Sequence, residues 1–198
     1  MSGEAKINTI LEREGIWYPT AEVCYSVAVI LTKVFPRNQG LVPSILQIIR
    51  EMLRRKALPT DFLWLDNNQI TDAGLVKLAE MLPSSKLTKL WLSGNQITDT
   101  GFIKLAEMLP SSELIELRLR KSQITDYGII KFAEMLPSSK LTKLSLVFNQ
   151  ITDDGLRKLA EMLPSSKLTK LDLNGNQITS TGKEALKDIK NKDNINYH

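Results

Sequence analysis

Few side chains in this sequence could do covalent chemistry. The single histidine, His198, stands at the last position, and the single cysteine, Cys24, falls in an apolar helical run. A nucleophile needs a base within hydrogen-bond reach, and no Cys–His or Ser–His constellation can be built from this set. Zinc-ligand spacings and a glycine-rich phosphate loop are likewise missing. One acidic pattern does recur, Thr-Asp at 71–72, 98–99, 125–126 and 152–153. A carboxylate appearing once per unit supplies too few oxygens at one point for calcium. The pairs read instead as a helix N-cap followed by a first-turn acid that the helix dipole favours. The expectation is a chain that is not an enzyme and uses no metal or cofactor, which leaves recognition.

Residues suited to recognition are present, and their spacing decides whether they share a face. Shifting the sequence by 27 residues lays Leu63 on Leu90, Leu117, Leu144 and Leu171, and Leu65 on Leu92, Leu119, Leu146 and Leu173. Fixed-period self-similarity of this length is the mark of a solenoid. Each unit opens with the alternation L-x-x-L-x-L-x-x-N and continues Q-I-T-D-x-G-x-x-K-L-A-E-M-L-P-S-S, which has helical period. One unit is therefore one strand, one turn and one helix, stopped by Pro83, Pro110, Pro137 or Pro164, which have no N–H to continue it.

Alternation along the strands turns the residues flanking the two core leucines to the opposite face. The first such column is Phe62, Lys89, Glu116, Lys143 and Lys170; the second is Trp64, Trp91, Arg118, Ser145 and Asp172; the third is Asp66, Ser93, Arg120, Val147 and Asn174. These positions vary while the framework around them barely changes. Two tryptophans side by side on a polar face mark a partner site, because exposed apolar patches rimmed by charge usually do and Trp and Arg dominate binding hot spots. The candidate contact set is Phe62, Trp64, Asp66, Lys89, Trp91, Glu116, Arg118, Arg120, Lys121, Lys143, Val147 and Phe148, with Lys89 and Glu116 tuning specificity. A nucleic-acid binder would instead use the tryptophans as stacking platforms and Lys89, Arg118, Arg120, Lys121 and Lys143 as phosphate contacts. Asp66, Glu116 and Asp172 among the cations favour a protein.

The framework positions carry structural expectations. Asn68, Asn95, Asn149 and Asn176 sit where an amide can satisfy the backbone as the chain leaves the strand, and Ser122 breaks that ladder. Lys77, Lys104, Lys131 and Lys158 stand three residues before Glu80, Glu107, Glu134 and Glu161, a solvated ladder of opposed charges.

The motif L-x-x-L-x-L-x-x-N, repeated five times in phase over about residues 58–190, resembles the leucine-rich repeat. A helix in every unit makes it similar to the ribonuclease-inhibitor-like subclass, and I-T-D-x-G also recurs in F-box leucine-rich proteins. Near-identical, Lys- and Asn-rich copies are similar to leucine-rich effectors of intracellular bacterial pathogens. The resemblance implies an α/β leucine-rich repeat solenoid, a horseshoe with a parallel concave sheet and outer helices. It further implies a scaffold gripping a partner protein, an enzyme whose active site it occludes or another effector, and no small-molecule substrate; the 27-residue phase and the absence of metal or disulfide ligands add the expectation of a monomer. A substrate adaptor of a ubiquitin ligase rests on the F-box likeness alone.

Outside the repeats, residues 1–57 are expected to form a helical N-terminal cap, with helices at about 4–14, 20–35 and 44–56, and 191–198 a flexible polar tail. Net charge splits as 8 basic minus 5 acidic residues in 1–57 and 18 minus 17 in 58–198, so the array is nearly neutral. One cysteine, no glycosylation sequon and no long apolar run near Met1 point to a cytoplasmic protein, or one translocated into a host cytosol, with no membrane span.

Overall fold

The computed structural model describes residues 61–68, 70–184, 186 and 195–196. The expected N-terminal cap, residues 1–57, lies outside them, as does most of the expected tail.

Five three-residue strands recur at the repeat spacing: β1 Phe62–Trp64, β2 Lys89–Trp91, β3 Glu116–Arg118, β4 Lys143–Ser145 and β5 Lys170–Asp172. They pair in parallel in sequence order, with Leu63, Leu90, Leu117, Leu144 and Leu171 in register. A sixth strand, β6 Ile195–Asn196, joins the sheet in parallel beside β5, so part of the segment expected to be a flexible tail is paired. Between strands run the helices α1 Asp72–Ala79, α2 Asp99–Met108, α3 Asp126–Met135, α4 Asp153–Met162 and α5 Ser180–Glu184. Each of α1 to α4 passes into a short 3-10 turn, Leu-Pro-Ser, in which proline takes an early position because its missing N–H is not needed there. This is the leucine-rich repeat solenoid, with a parallel sheet on one side and helices on the other.

One continuous core runs between the two layers. Leu90, Leu92, Ile97, Leu105, Leu117, Leu119, Ile124 and Leu159 are inaccessible to solvent. In the middle of the array Phe102 and Phe132 replace aliphatic residues and stack with centroids 4.7 Å apart, filling the space between α2 and α3. Each such side chain contributes roughly 1.5–3 kcal/mol by leaving water.

Two polar ladders fix the spacing of the rungs. Asn95 donates its amide to Leu65 O at 2.9 Å and Leu92 O at 2.7 Å, and accepts from the N–H of Asn68 and of Ile70. Asn149 and Asn176 repeat the arrangement, accepting from Ile124 and Ile151. Ser122 is buried at the equivalent position, and its hydroxyl has no hydrogen-bond partner among the described residues. Ile70, Ile124 and Ile151 each donate their N–H to the ladder Asn of the next rung, whereas Ser122 has no amide oxygen to offer Ile97. Ser122→Asn is expected to complete the ladder and raise stability by about 1 kcal/mol, seen as a higher urea midpoint.

The second ladder corrects the reading of the Thr-Asp pairs. Thr98, Thr125 and Thr152 do cap their helices, each accepting from the N–H two residues on. The aspartates, however, reach to the next rung: Asp72 accepts from Thr98 N at 2.8 Å and Thr98 Oγ1 at 2.5 Å, and Asp99, Asp126 and Asp153 do the same to Thr125, Thr152 and Thr179. They are clamps between units more than dipole partners. The outer Lys–Glu pairs form as expected, at 2.9–3.1 Å on exposed surface, where such pairs stabilise by tenths of a kcal/mol.

Candidate functional site

Trp91 is the centre of the concave face. Parallel pairing sets Trp64 beside it on one side and Arg118 on the other, with Phe62 on the neighbouring column. Phe62 meets its ring edge-on at 4.6 Å and Trp64 at 5.8 Å, both near a right angle, the arrangement that ring quadrupoles prefer. The Arg118 guanidinium lies 3.8 Å from the Trp91 ring centroid, a cation–π contact. Trp91 Nε1 donates to Glu116 Oε1 at 3.1 Å, and Arg118 Nε donates to the same oxygen at 2.8 Å. Lys143 Nζ stands 3.8 Å from the other oxygen.

Glu116 is thus a correction. The sequence reading placed it on the exposed face as a specificity residue, yet it is 6% exposed. Two long neighbours, Trp91 and Arg118, fold over it and satisfy its carboxylate, so it holds the site together from beneath. Burial pushes its carboxyl up, but the hydrogen bond and charge of Arg118, the Trp91 N–H and the Lys143 charge outweigh that and leave it below the ordinary glutamate value of 4.5. A folded-state pKa below the unfolded one contributes stability that is complete above the unfolded value and lost as pH falls through the folded one. Stability should therefore fall on acidification below about pH 4.5, and Glu116→Gln should flatten that acid limb in urea unfolding measured across pH. Asp153 shifts the same way, chiefly because Thr179 donates to its carboxylate from side chain and backbone.

Val147 is a second correction. The strand ends at Ser145 and the chain is already turning, so alternation no longer sets the side chain's direction, and Val147 is 3% exposed. The same turn bends Asp66 toward the next rung, where it accepts from Ser93 N at 2.6 Å.

Beyond the strands the turn requires a left-handed residue in every rung: Asn67, Gly94, Lys121, Phe148 and Gly175 all have φ between 52° and 72°. Glycine takes this conformation freely, whereas a bulky residue such as Phe is a marked outlier there. Phe148 is exposed nonetheless, and its ring lies over Gly175, where an added Cβ would stand 2.3 Å from it. Lys121 Nζ hovers 6.0 Å from the Phe148 ring centroid. These two therefore extend the variable surface along the rim, while Lys89, Arg120 and Lys143 are exposed on the sheet side.

The candidate list omitted two residues that geometry brings in. Glu116, Arg118, Arg120, Lys143, Lys170 and Asp172 line a hollow of about 250 Å³ across β3 to β5. Lys170 and Asp172 stood in the variable columns, and the column arithmetic alone could have placed them there. Among the described residues no group of three or more His, Cys, Asp or Glu side chains could hold a metal ion, and no helix is long and apolar enough to cross a membrane.

The family model for the leucine-rich repeat matches residues 63–79, 84–106, 138–160 and 165–187. With the parallel register above, this identifies the chain as a leucine-rich repeat protein, a fold that typically serves as a non-catalytic scaffold for protein–protein interaction. Among solved structures, the actin-binding site 2 of leiomodin-1 aligns at 18% identity with a TM-score of 0.56, covering 69% of this chain and 82% of that one. An internalin (inlF) from Listeria monocytogenes aligns at 21% identity with a TM-score of 0.43, covering 74% of this chain and 42% of that one. At these identities the first likeness bears on the fold alone. No curated protein matches the sequence.

Proposed function

We propose that the chain is a scaffold that binds a partner protein across its concave face, with Trp91 as the central anchor and Phe62, Trp64 and Arg118 around it. The observation that supports this reading most is the Trp91 cluster itself. Four large side chains are locked against one another on a face where the fold requires only leucines behind them. A rigid, half-buried aromatic group loses little freedom on binding, which is how hot spots are built. The helix in every unit supports the ribonuclease-inhibitor-like comparison, and an enzyme's active-site rim laid across the rungs, as an effector would use it, is the mode that comparison implies. A cytosol, the cell's own or a host's, suits the single cysteine.

The geometry weighs against single-stranded nucleic acid. Stacking platforms must offer open ring faces. Here Arg118 covers a Trp91 face, and Phe62 and Trp64 pack against the same ring at steep angles.

The test is an affinity capture from a lysate of the cells that contain the protein, run beside Trp64→Ala/Trp91→Ala whose fold is checked by circular dichroism. The variant is expected to lose the partner, since truncating a central Trp commonly costs at least about 2 kcal/mol. Recovery of the same proteins by both would move the site away from the tryptophans. Binding should also weaken only modestly with salt. Retention of single-stranded RNA or DNA with a steep salt dependence would give the face to nucleic acid instead.

A further inference from the structure

The concave face is divided chemically along its length. Its β1 and β2 end carries the aromatic cluster, whereas the hollow over β3 to β5 is walled by four cations and two carboxylates. Both carboxylates already have donors. Glu116 Oε1 accepts from Trp91 and Arg118 while Lys143 stands 3.8 Å from its other oxygen, and Asp172 accepts from the N–H of Asn174. Arg120 and Lys170, by contrast, are exposed and make no side-chain ion pair among the described residues. The hollow therefore presents unspent positive charge at a place where backbone and core leucines form its floor.

We infer that this hollow is an anion subsite for the carboxylates of an acidic peptide segment of the partner, and that the same segment sets an apolar side chain on the aromatic shelf. The inference rests on the protein-binding reading of the face and names the chemistry of what is bound. The shelf is centred between β1 and β2 and the hollow on β4, about two and a half strand spacings apart, or about 12 Å. A helical segment spans that distance in about eight residues, two turns, so its apolar anchor and its acids fall on one face. Arg120 offers a planar fork suited to a carboxylate, and Lys170 a flexible point charge beside it. A nucleic-acid strand fits less well, because Glu116 and Asp172 stand in the wall and a hollow of about 250 Å³ takes a few carboxylates, not a continuous backbone.

The experiment titrates the full chain with fluorescent helical peptides that carry a leucine and, about two turns on, a run of glutamates. Controls are the same peptide with glutamines and a labelled oligothymidylate, all in about 0.15 M salt. The glutamate peptide is expected to bind at least about tenfold more tightly than the glutamine one. Arg120→Glu/Lys170→Glu should abolish that preference, and Trp91→Ala should weaken both peptides together. Equal binding of the two peptides, or a preference that survives Arg120→Glu/Lys170→Glu, overturns the subsite. If in that case Trp91→Ala still weakens binding, the protein-binding reading stands while the subsite falls. Insensitivity to Trp91→Ala sinks that wider reading, and tighter binding of the oligothymidylate overturns both. No binding of either peptide also overturns the subsite.

Discussion

Asn95→Leu should lower the stability of the array by about 3 kcal/mol, although it replaces a polar side chain by an apolar one of similar size in a leucine-rich core. The Asn95 amide bonds two carbonyls, Leu65 O and Leu92 O, and its oxygen takes the N–H groups of Asn68 and Ile70. The residue is only 6% exposed, so water cannot replace those bonds when leucine removes them. Each buried backbone group left unpaired costs roughly 1–3 kcal/mol, and the hydrophobic gain of a leucine offsets only part of the total. Because a solenoid unit contacts only its neighbours, the damage should spread first to the rungs on either side. Urea unfolding followed by far-ultraviolet circular dichroism measures it, with Lys104→Ala on the solvated helix face as a control that should barely move. A midpoint for Asn95→Leu equal to that of the native chain would show that the ladder is not what holds the turn.

Sequence periodicity revealed the strands, helices and strand register because each depends on side-chain spacing, and spacing is what a sequence states directly. Trp64 could be set against Trp91, and Phe62 against Lys89, from the 27-residue shift alone, and the parallel pairing has that register. What spacing does not state is the direction a long polar side chain takes once its neighbours are in place. Glu116 belonged to the outward column, yet the lateral reach of Trp91 and Arg118 roofs it over. Val147 shows the other limit, since period-2 alternation holds only while the backbone stays extended. The sixth strand was invisible because Ile195–Asn196 pairs with β5 through backbone groups and carries none of the repeat's leucine pattern. The I-T-D-x-G phrase was legible as a recurrence, but the reason for its glycine lies in the rung before, which no single unit contains.

That reason leads to an effect of opposite sign in two backgrounds. Gly128 sits in the first turn of α3, where alanine ordinarily stabilises a helix by about 1 kcal/mol relative to glycine. Here an added Cβ would stand 2.2 Å from Asp99 Oδ1 and 2.9 Å from its Cγ. The carboxylate cannot simply swing away, because it accepts from Thr125 N at 2.8 Å and Thr125 Oγ1 at 2.5 Å, and that Thr also caps the helix. Gly128→Ala should therefore break the clamp between two central rungs and destabilise the chain by about 3 kcal/mol, the scale of two hydrogen bonds to a charged group less the helix gain. Asp99→Ala alone should cost a similar amount by removing the clamp outright. In the double variant the Oδ1 and Cγ clashes are gone and only the 3.3 Å approach of the residue-99 Cβ remains, so Gly128→Ala added to Asp99→Ala should cost nothing or restore a few tenths of a kcal/mol through helix propensity. Urea unfolding of the four proteins gives the coupling energy directly. Additive losses would mean that Gly128 is required for some other contact and that the Asp–Thr clamp does not explain the motif.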